Sequence, residues 1–368
     1  MTAAFSAVDH VHMARALRLA ELGLYSTAPN PRVGCVLVNR DQVVGEGWHR
    51  RAGEAHAEIL ALRAAGERSH GATAYVTLEP CSHQGRTPPC SEALLAAGVS
   101  RVVAAMEDPN PLVAGRGLAA LRQSGVDVQC GLLEDAAREL NPGFISRMTR
   151  GRPWLRLKMA ASLDGKTALN NGQSQWLTGP AARQDGHRWR ARACAILSGI
   201  GTVLHDDPQL NVRGVAGLAD DYQLPLKVIV DAGLQLPQTA RLLADGRVLV
   251  ATAIDDPAAL AGWCRPGVEV VSLPDGAGRV DLPALLGVLA ARGINEVHAE
   301  AGAGLAGALL VQNLVDELLL YLAPTLIGND ARGLFEMPAL VSLSDKRALN
   351  WFDVRMVGAD LRVRARVN

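Results

Sequence analysis

The feature of this sequence that most constrains its fold is a set of three side chains able to bind one metal ion, although they lie far apart in the chain: His56, Cys81 and Cys90. One imidazole and two thiolates fill three corners of a zinc tetrahedron and leave the fourth for a water molecule. All three fall at predicted junctions between strands and helices, where open α/β sheets place their sites. Glu58, two residues after His56, is well placed to move protons for that water.

The apolar pattern of the first half predicts a sheet covered by helices. We expect strands over residues 35–38, 43–47, 72–78, 101–106 and 126–129. We expect helices over residues 55–65, 90–97, 117–124 and 9–24, the last of these capped by Asp9. This alternation predicts a largely parallel sheet. The partial positive charge at a helix start favours a thiolate and a bound hydroxide, which suits ligands at helix starts.

The chemistry of the group follows from its ligands. Zinc lowers the pKa of bound water toward neutrality, and Glu58 can pass the released proton to a ring nitrogen and then to a departing amine. An amino-substituted ring carbon then loses ammonia and becomes a carbonyl, so the group predicts hydrolytic deamination. A purely structural zinc site would need a fourth protein ligand, which His83 could supply.

The spacing of the ligands resembles two groups of deaminases to different degrees. His56-x-Glu58 and Pro80-Cys81 match the zinc deaminase signature, but Cys90 stands farther from Cys81 than that signature's Cys-x-x-Cys. The wider loop resembles that of the bacterial bifunctional riboflavin-biosynthesis deaminase–reductase family. The segments that resemble this family in the first half are residues 29–35, 45–58, 77–90 and 108–111.

This resemblance implies a cytidine-deaminase-like, three-layer α/β/α first domain with zinc on the three ligands above. It implies a free pyrimidinone substrate with two amino groups and a phosphoribosylamino group. The implied substrate contacts are Asn30, His49, His83, Arg86, Asp108 and Asn110. Independently, the inserted loop 82–89 would bring His83 and Arg86 beside the metal, as an anionic substrate requires.

The apolar pattern restarts after a basic stretch, residues 147–153, that contains Gly and Pro. We therefore expect two domains, residues 1–148 and 149–368. The strands expected in the second domain cover residues 154–160, 193–198, 226–231, 248–253, 268–273, 296–300, 317–323 and 361–367. No Gly-x-Gly-x-x-Gly follows its first strand, so an ordinary Rossmann fingerprint is absent.

Several segments of this half resemble the reductase domain of the same family, which is a dihydrofolate-reductase-like α/β domain and uses NADPH. The segments are residues 158–165, 174–176, 201–213 and 300–302. The implied NADPH contacts are Ala160, Trp176, Thr202, Asp206, Gly302, Ala303, Gly304, Leu305, Ala306, Gly307 and Ala308. The implied substrate contacts are Ser174, Arg190, Leu210, Arg213 and Glu300. Lys158 and Asp206 are implied as catalytic groups near the reacting sugar carbon.

Three of these residues can also be argued from their chemistry. Arg190 and Arg213 can bind a phosphate through two parallel hydrogen bonds, which lysine could not reproduce. Lys158 lies on a strand rich in apolar residues, where an inward lysine costs several kcal/mol unless it is paired or functional. We therefore expect Lys158 to donate a proton or to stabilise an imine.

Composition argues against several partners. The chain has 37 basic and 37 acidic side chains and 4% aromatics, whereas nucleic-acid binders usually carry a basic excess and stacking aromatics. No apolar run reaches membrane-spanning length. The first residues lack a signal-peptide pattern and six cysteines are too few for a disulfide scaffold, so we expect a cytoplasmic protein. The apolar late strand 318–322 favours a homo-oligomer.

The sequence thus predicts one chain that catalyses two successive steps of riboflavin synthesis, a deamination and an NADPH-dependent reduction of a ribosyl side chain. Two alternatives remain open. A nucleoside or nucleic-acid deaminase with an accessory domain would carry Cys-x-x-Cys spacing. A zinc-stabilised nucleotide-binding regulator without turnover would have no need of Glu58.

Overall fold

The computed structural model describes residues 5–82, 89–111, 113–263 and 265–367. It divides into two compact units, residues 1–151 and residues 152–368. The basic stretch expected to be irregular from residue 147 is helical as far as Arg150, and Gly151 follows with a φ of 66°.

The first unit alternates strands and helices along the chain. Its elements are α1 (Ala7–Glu21), β1 (Gly34–Asn39), β2 (Gln42–Trp48), α2 (Ala57–Ala65), β3 (Thr73–Val76), α3 (Cys90–Ala96), β4 (Arg101–Ala104), α4 (Arg116–Gln123), β5 (Asp127–Cys130), α5 (Glu134–Leu140) and α6 (Pro142–Arg150). A short 3₁₀ helix, Gly66–Ser69, follows α2.

Among the described residues, the sheet of this unit has the strand order β2-β1-β3-β4-β5. Strands β3, β4 and β5 are parallel, but β1 is antiparallel to both β2 and β3. The prediction of a largely parallel sheet is therefore wrong for its first two strands. Arg40 and Asp41 both have positive φ, which is the geometry of a two-residue hairpin turn, and a hairpin makes its strands antiparallel.

Alternate residues of β1 enter two different cores, which shows that the sheet is covered on both faces. Cys35 and Leu37 pack with apolar residues of α2, α3 and α4. Val36 and Val38 pack with residues of α1, α5 and α6. The unit is therefore a three-layer α/β/α structure, as predicted.

The start of α1 differs from the prediction. Ser6 is the N-cap and forms a capping box with Asp9, which is the third residue of the helix. Asp9 is instead buried against the sheet, where it accepts hydrogen bonds from Tyr75 Oη at 2.7 Å and from Arg101 Nη1 at 2.7 Å. The carboxylate therefore joins the helix to β3 and β4.

The second unit is built on a larger sheet. Its elements are β6 (Trp154–Ser162), β7 (Lys166–Ala168), α7 (Pro180–Arg192), β8 (Ala195–Gly199), α8 (Ile200–Asp206), β9 (Leu226–Val230), β10 (Val248–Thr252), α9 (Pro257–Ala261), β11 (Val268–Ser272), α10 (Leu282–Ala291), β12 (Glu296–Glu300), α11 (Ala303–Val311), β13 (Glu317–Ala323), β14 (Arg332–Gly333), β15 (Leu349–Val357) and β16 (Asp360–Val367). Two 3₁₀ helices, Arg241–Leu243 and Leu343–Asp345, complete it. Of the helices formed by the described residues, none is both long and apolar enough to cross a membrane.

In the described part of this unit, the main sheet has the order β11-β10-β9-β8-β12-β6-β13-β16-β15. The strands from β11 to β13 are parallel, and β16 and β15 add an antiparallel edge. The first strand in sequence, β6, lies in the interior of the sheet. Parallel neighbours β8, β12 and β6 thus end on the same side, which is where such sheets bind ligands.

Two features of the antiparallel edge were not expected from sequence. Strand β15 escaped prediction because most of its residues are exposed, so it has no buried apolar alternation. Residues 318–322, the apolar late strand that favours a homo-oligomer in the sequence, do not form an edge: β13 lies between β6 and β16, and Leu318 and Leu319 are buried in the core. Within this edge, β15 carries exposed apolar side chains, among them Trp351 and Met356.

Candidate active sites

The three predicted zinc ligands meet at one point of the first unit. His56 is the residue just before α2, Cys90 is the first residue of α3, and Cys81 follows β3. The Sγ atoms of Cys81 and Cys90 lie 3.6 and 3.3 Å from His56 Nδ1, and all three ligand atoms lie within 4.8 Å of one another. These separations and this donor set fit a tetrahedral zinc ion with one coordination position left for water.

The two cysteines share one proton in the metal-free protein, because the hydrogen bond to Cys81 and burial raise the pKa of the Cys90 thiol. The Cys90 thiol and backbone N–H, together with His56, lower the pKa of the Cys81 thiol to about 4. The backbone N–H of Cys90 lies 3.3 Å from Cys81 Sγ, at the start of α3. Cys81 is therefore ionised at neutral pH, which a zinc ligand must be.

Glu58 lies on the first turn of α2 and is 3% exposed. Burial raises the pKa of its carboxyl to about 7, whereas a nearby cation would favour the ionised form. A carboxyl that titrates near neutral pH can both accept and return a proton. Its position two residues after a ligand and its presence in the same cavity match the proton-transfer role predicted from sequence.

The cavity that contains these groups has a volume of about 300 Å³, within the range of sites for small molecules. Among the described residues it is lined by Pro29, Asn30, Pro31, Val33, His49, His56, Glu58, Leu78, Glu79, Cys81, Asp108, Asn110, Val113, Phe144, Arg147 and Met148. Four predicted substrate contacts therefore share a cavity with the predicted zinc ligands: Asn30, His49, Asp108 and Asn110. The other two, His83 and Arg86, lie outside the described residues.

Asn30 and His49 form one polar unit in this cavity. Asn30 Nδ2 lies 3.1 Å from His49 Nε2, and His49 Nδ1 lies 3.3 Å from the carbonyl oxygen of Ala55. A carbonyl can only accept, so the proton of His49 is on Nδ1 and Nε2 accepts from Asn30. Burial also lowers the pKa of His49, which keeps the ring neutral. The amide of Asn30 is thereby fixed in orientation.

Glu79 holds the wall of the cavity together, a role that the sequence did not reveal. Its carboxylate accepts hydrogen bonds from the backbone N–H groups of Asp108, Gly115, Gly117 and Leu118, at 3.0, 2.9, 2.8 and 3.2 Å. Asp108 in turn accepts from the Asn110 N–H at 2.8 Å. The residue that precedes Pro80-Cys81 thus fixes the loop that carries the predicted substrate contacts. The one sign of this role in the sequence is the position of Glu79, between the end of a predicted strand and the ligand Cys81.

Helix α6 supplies three lining residues that the sequence analysis missed: Phe144, Arg147 and Met148. They lie three and four residues apart, which places them on one face of a helix. That spacing was visible in the sequence. The sequence did not indicate that this face of α6 lines a cavity whose other residues lie much earlier in the chain.

The predicted reductase residues gather at the carboxyl end of β12 in the second unit. Lys158 of β6 pairs in register with Glu300, the last residue of β12, and its Nζ lies 4.0 Å from Glu300 Oε2. Arg190 of α7 donates to both carboxylate oxygens of Glu300 and, through Nη1, to the carbonyl of Asn211 at 2.9 Å. His298 Nε2 lies 3.3 Å from Glu300 Oε1. Glu300 is thus the centre of a cluster of basic side chains.

The remaining predicted residues lie around this cluster with different exposures. Asp206 accepts from Gln175 Nε2 at 3.5 Å, and the neighbouring Trp176 is 70% exposed, with Arg183 stacked over its ring at 4.7 Å. Leu210 is buried with a positive φ, and Arg213 donates to Gln209 Oε1 at 3.4 Å. Ser174 and Ala160 are half-buried.

The turn after β12 has the form of a phosphate site. Gly302 is the N-cap of α11, with no side chain capping the helix, and Gly302 and Gly304 are exposed. Thr202 Oγ1 lies 3.9 Å from the point where a Cβ on Gly302 would stand. Unpaired N–H groups at a helix start bind pyrophosphate, so residues 302–305 fit the cofactor predicted there.

The later residues of the predicted cofactor turn have other contacts. Ala306 is fully buried in the core. A Cβ on Gly307 would lie 1.9 Å from the carbonyl oxygen of Glu336, so this glycine allows a close backbone approach. Direct cofactor contact at Ala306, Gly307 and Ala308 stays a prediction.

Comparison with known proteins assigns both units. Residues 6–106 match the model of the cytidine and deoxycytidylate deaminase zinc-binding region, and residues 153–359 match the model of the RibD C-terminal domain. The riboflavin biosynthesis protein RibD of Escherichia coli strain K12 is 48% identical over 362 residues, which cover 96% of this chain and 98% of that protein. This chain belongs to the RibD family.

Solved structures of RibD proteins agree over almost the full length. The Acinetobacter baumannii RibD structure, form 1, is 45% identical, with a TM-score of 0.90 over 98% of this chain and 99% of that chain. The Thermotoga maritima diaminohydroxyphosphoribosylaminopyrimidine deaminase/5-amino-6-(5-phosphoribosylamino)uracil reductase is 32% identical, with a TM-score of 0.85 and the same coverage. As a RibD protein, this chain has zinc-dependent deaminase and NADPH-dependent reductase activity in riboflavin biosynthesis.

Proposed function

We propose that the first unit removes the 2-amino group of 2,5-diamino-6-(5-phosphoribosylamino)pyrimidin-4-one and that the second unit then reduces the ribosyl side chain of the product with NADPH. The observation that carries this proposal is the meeting of His56, Cys81 and Cys90 around one point, in a cavity that also holds the buried Glu58. The activity for which the Thermotoga maritima relative is named supports the choice of substrate.

In the deamination, the protein's own groups bind the ring and move protons. When bound, zinc supplies the Lewis acidity that makes water a nucleophile at neutral pH. Glu58 accepts a proton from water and delivers it to a ring nitrogen. It then takes the proton of the hydroxyl group added to the ring carbon and delivers it to the departing amino group, so ammonia leaves and a carbonyl is formed. Asn30, fixed by His49 and lining the same cavity, donates to the pyrimidine.

In the reduction, the cluster around Glu300 orients the open-chain sugar. When bound, NADPH supplies the hydride. Residues 302–305 would hold its pyrophosphate at the start of α11, and Trp176, whose ring is exposed, would contact the cofactor. Lys158 donates a proton or stabilises the imine at C1′, and Glu300 keeps it positioned. Arg213 binds the phosphate, because the guanidinium of Arg190 is held by Glu300 and Asn211.

The border between the two activities follows the compact units. Sequence placed it between residues 148 and 149, but α6 runs to Arg150 and lines the deaminase cavity through Arg147 and Met148. We therefore assign the whole of α6 to the deaminase domain, so that the reductase domain begins at Arg152.

A homo-oligomer and a reducing cytoplasm complete the proposal. Strand β15 is the last strand of its sheet and exposes Trp351, Phe352, Val354 and Met356. An exposed apolar edge strand is a natural place for a second copy to pair. The cytoplasm follows from the chemistry of Cys81 and Cys90, because a zinc ligand must remain a reduced thiolate.

The order of the two steps gives a direct test. With zinc but no NADPH, the chain should release one ammonia per diamino-pyrimidinone and stop. Added NADPH should then be oxidised by the deaminated product and not by the starting compound. Oxidation of NADPH by the starting compound, before any ammonia appears, would contradict the order proposed here.

A further inference from the structure

Helix α6 is locked to the loop that carries Asn30. The side chain of Asn141, at the start of α6, accepts from the Arg32 N–H at 2.8 Å and donates to the Arg32 carbonyl at 2.9 Å. Arg32 Nη1 also donates to the Leu140 carbonyl at 2.8 Å. These buried contacts fix the inner face of α6 against the cavity.

Arg147 is the residue of that face that carries a charge. It lines the cavity together with Phe144 and Met148, and its Nη2 donates to the carbonyl oxygen of Pro29 at 3.1 Å. A guanidinium carries five N–H donors in a rigid fork, so one group can hold a carbonyl and also contact an anion. The bond to Pro29 directs Arg147 beside Asn30.

The other charged side chains of the cavity indicate what Arg147 could bind. Its lining among the described residues includes three carboxylates, Glu58, Glu79 and Asp108, and Arg147 is the one lysine or arginine. The carboxylate of Glu79 accepts hydrogen bonds from backbone N–H groups. Glu58 transfers protons in the proposed deamination. A doubly charged phosphate entering such a cavity needs a cation, and bidentate arginine is the group best matched to it.

We infer that Arg147 binds the phosphate of the deaminase substrate and makes the first site selective for the phosphorylated pyrimidine over its riboside. This inference rests on the function proposed above. The pyrimidine ring lies by the metal, and the phosphate lies by α6. Arg147 is thus a specificity-determining residue of the deaminase, supplied by the last helix of its domain.

The test compares two arginines of the same helix. Arg150 is exposed, donates to Ser146 Oγ and does not line the cavity among the described residues, so Arg150→Gln is the matched control. Arg147→Gln should raise KM for the phosphorylated substrate by roughly ten- to hundredfold, as expected for lost hydrogen bonds to a charged group. KM for the dephosphorylated riboside should change less than about twofold, and Arg150→Gln should leave both unchanged.

Two further readouts make the result decisive. Arg147→Lys, which keeps the charge but not the fork, should give an intermediate KM for the phosphorylated substrate, and zinc content should equal that of the wild type in every variant. Equal losses on both substrates would mean that Arg147 acts by holding Pro29, and no loss on either would remove it from the site. Both outcomes overturn the inference.

Direct binding separates failure of this inference from failure of the proposed function. Calorimetry measures the binding of ribose 5-phosphate to each variant. Arg147→Gln should have one class of ribose 5-phosphate site fewer than Arg150→Gln, and ribose should bind all variants alike. Identical ribose 5-phosphate isotherms would overturn the role of Arg147, whether or not the wild type releases ammonia. If the binding difference is present but the wild type releases ammonia from neither the phosphorylated substrate nor the riboside, the proposed reaction is refuted instead.

Discussion

Arg190 of α7 and Glu300 of β12 form a two-point ion pair, in which Nε and Nη2 donate to the two carboxylate oxygens, the second at 2.9 Å. Burial alone would raise the pKa of Glu300, but the Arg190 and Lys158 cations hold it well below its ordinary range. The carboxylate is therefore ionised throughout the neutral range. It fixes Arg190 and stands 4.0 Å from the Lys158 ammonium.

The first prediction removes the charge of Glu300 and keeps its shape. Glu300→Gln should lower kcat/KM of the reductase by at least about tenfold, because hydrogen bonds between charged groups contribute roughly 1.5–3 kcal/mol. Ammonia release should be unchanged. The control is Glu269→Gln, which breaks a surface ion pair with Arg292. Equal NADPH oxidation by the two variants would show that Glu300 does not position the reductase site.

The second prediction concerns the pH dependence of stability in the first unit. Arg101 lowers the pKa of the buried Asp9 far below its ordinary value, with further help from Tyr75 and Ser6. A lowered folded-state pKa adds stability above the unfolded value of about 4, and this stability is lost as the pH falls through the folded value. Asp9→Asn should therefore lower the free energy of unfolding by about 2 kcal/mol at pH 7.

The cost of Asp9→Asn should shrink steadily as the pH is lowered below about 4. Thermal unfolding of the wild type and the variant at several pH values measures it. Glu134→Gln, which removes an exposed pair with Arg138, is the control and should cost less than about 1 kcal/mol at every pH. A penalty for Asp9→Asn that stays constant down to pH 2 would be inconsistent with a charged Asp9.

The third prediction tests the wall built by Glu79. A Cβ on Gly117 would lie 1.9 Å from the Pro80 carbonyl and 3.2 Å from Glu79 Oε1. Gly117→Ala should therefore destabilise the first unit by roughly 1–3 kcal/mol, as overpacking does, and displace Cys81. Zinc content and ammonia release should fall, whereas NADPH oxidation with the deaminated intermediate should not.

The control for Gly117→Ala is a glycine with room for a methyl group. Gly287 in α10 has no atom within 4 Å of the added Cβ, so Gly287→Ala should leave both activities unchanged. Full zinc occupancy in Gly117→Ala would show that the Glu79 loop does not support the ligands.

The meeting of the three predicted zinc ligands could be anticipated from sequence, because each ligand lies at the end of an element with a clear signal. His56, Glu58 and Cys90 begin helices with ordinary apolar periods, and Cys81 follows a buried strand. Local patterns therefore predict both the elements and the placement of the ligands at their ends. The packing of neighbouring strands and helices in an α/β domain then brings the starts of these helices close to the end of the strand.

What sequence could not predict depends on distant packing. Arg147 reaches the cavity because Asn141 binds Arg32, a contact between residues more than a hundred positions apart. Strand β15 was missed because its pairing with β16, and not a buried face, makes it a strand. The sequence predicted both β1 and β2 as strands. It did not predict that they are antiparallel, because that depends on the positive φ values of the turn between them. Tertiary context decides each of these cases.

The fourth prediction concerns the surface of β15. Trp351 is 69% exposed on this edge strand, and Trp351→Asp would place a charge in the interface proposed there. Light scattering should show an oligomer for the wild type and a monomer for Trp351→Asp at micromolar concentration. Val11→Asp, which alters an exposed apolar side chain of α1, should keep the wild-type mass. A Trp351→Asp variant with unchanged mass would exclude β15 as the interface.

The most direct test of the deaminase assignment is the substitution of the buried carboxylate beside the ligands. Glu58→Gln keeps the size of the side chain but cannot accept a proton, and general acid–base groups contribute roughly 10²- to 10⁴-fold to rate. Zinc content and ammonia release from the diamino-pyrimidinone phosphate are measured together for wild type and variant. The account predicts equal zinc in both proteins and a loss of ammonia release of at least about a hundredfold in Glu58→Gln. Equal ammonia release by the two proteins would contradict it.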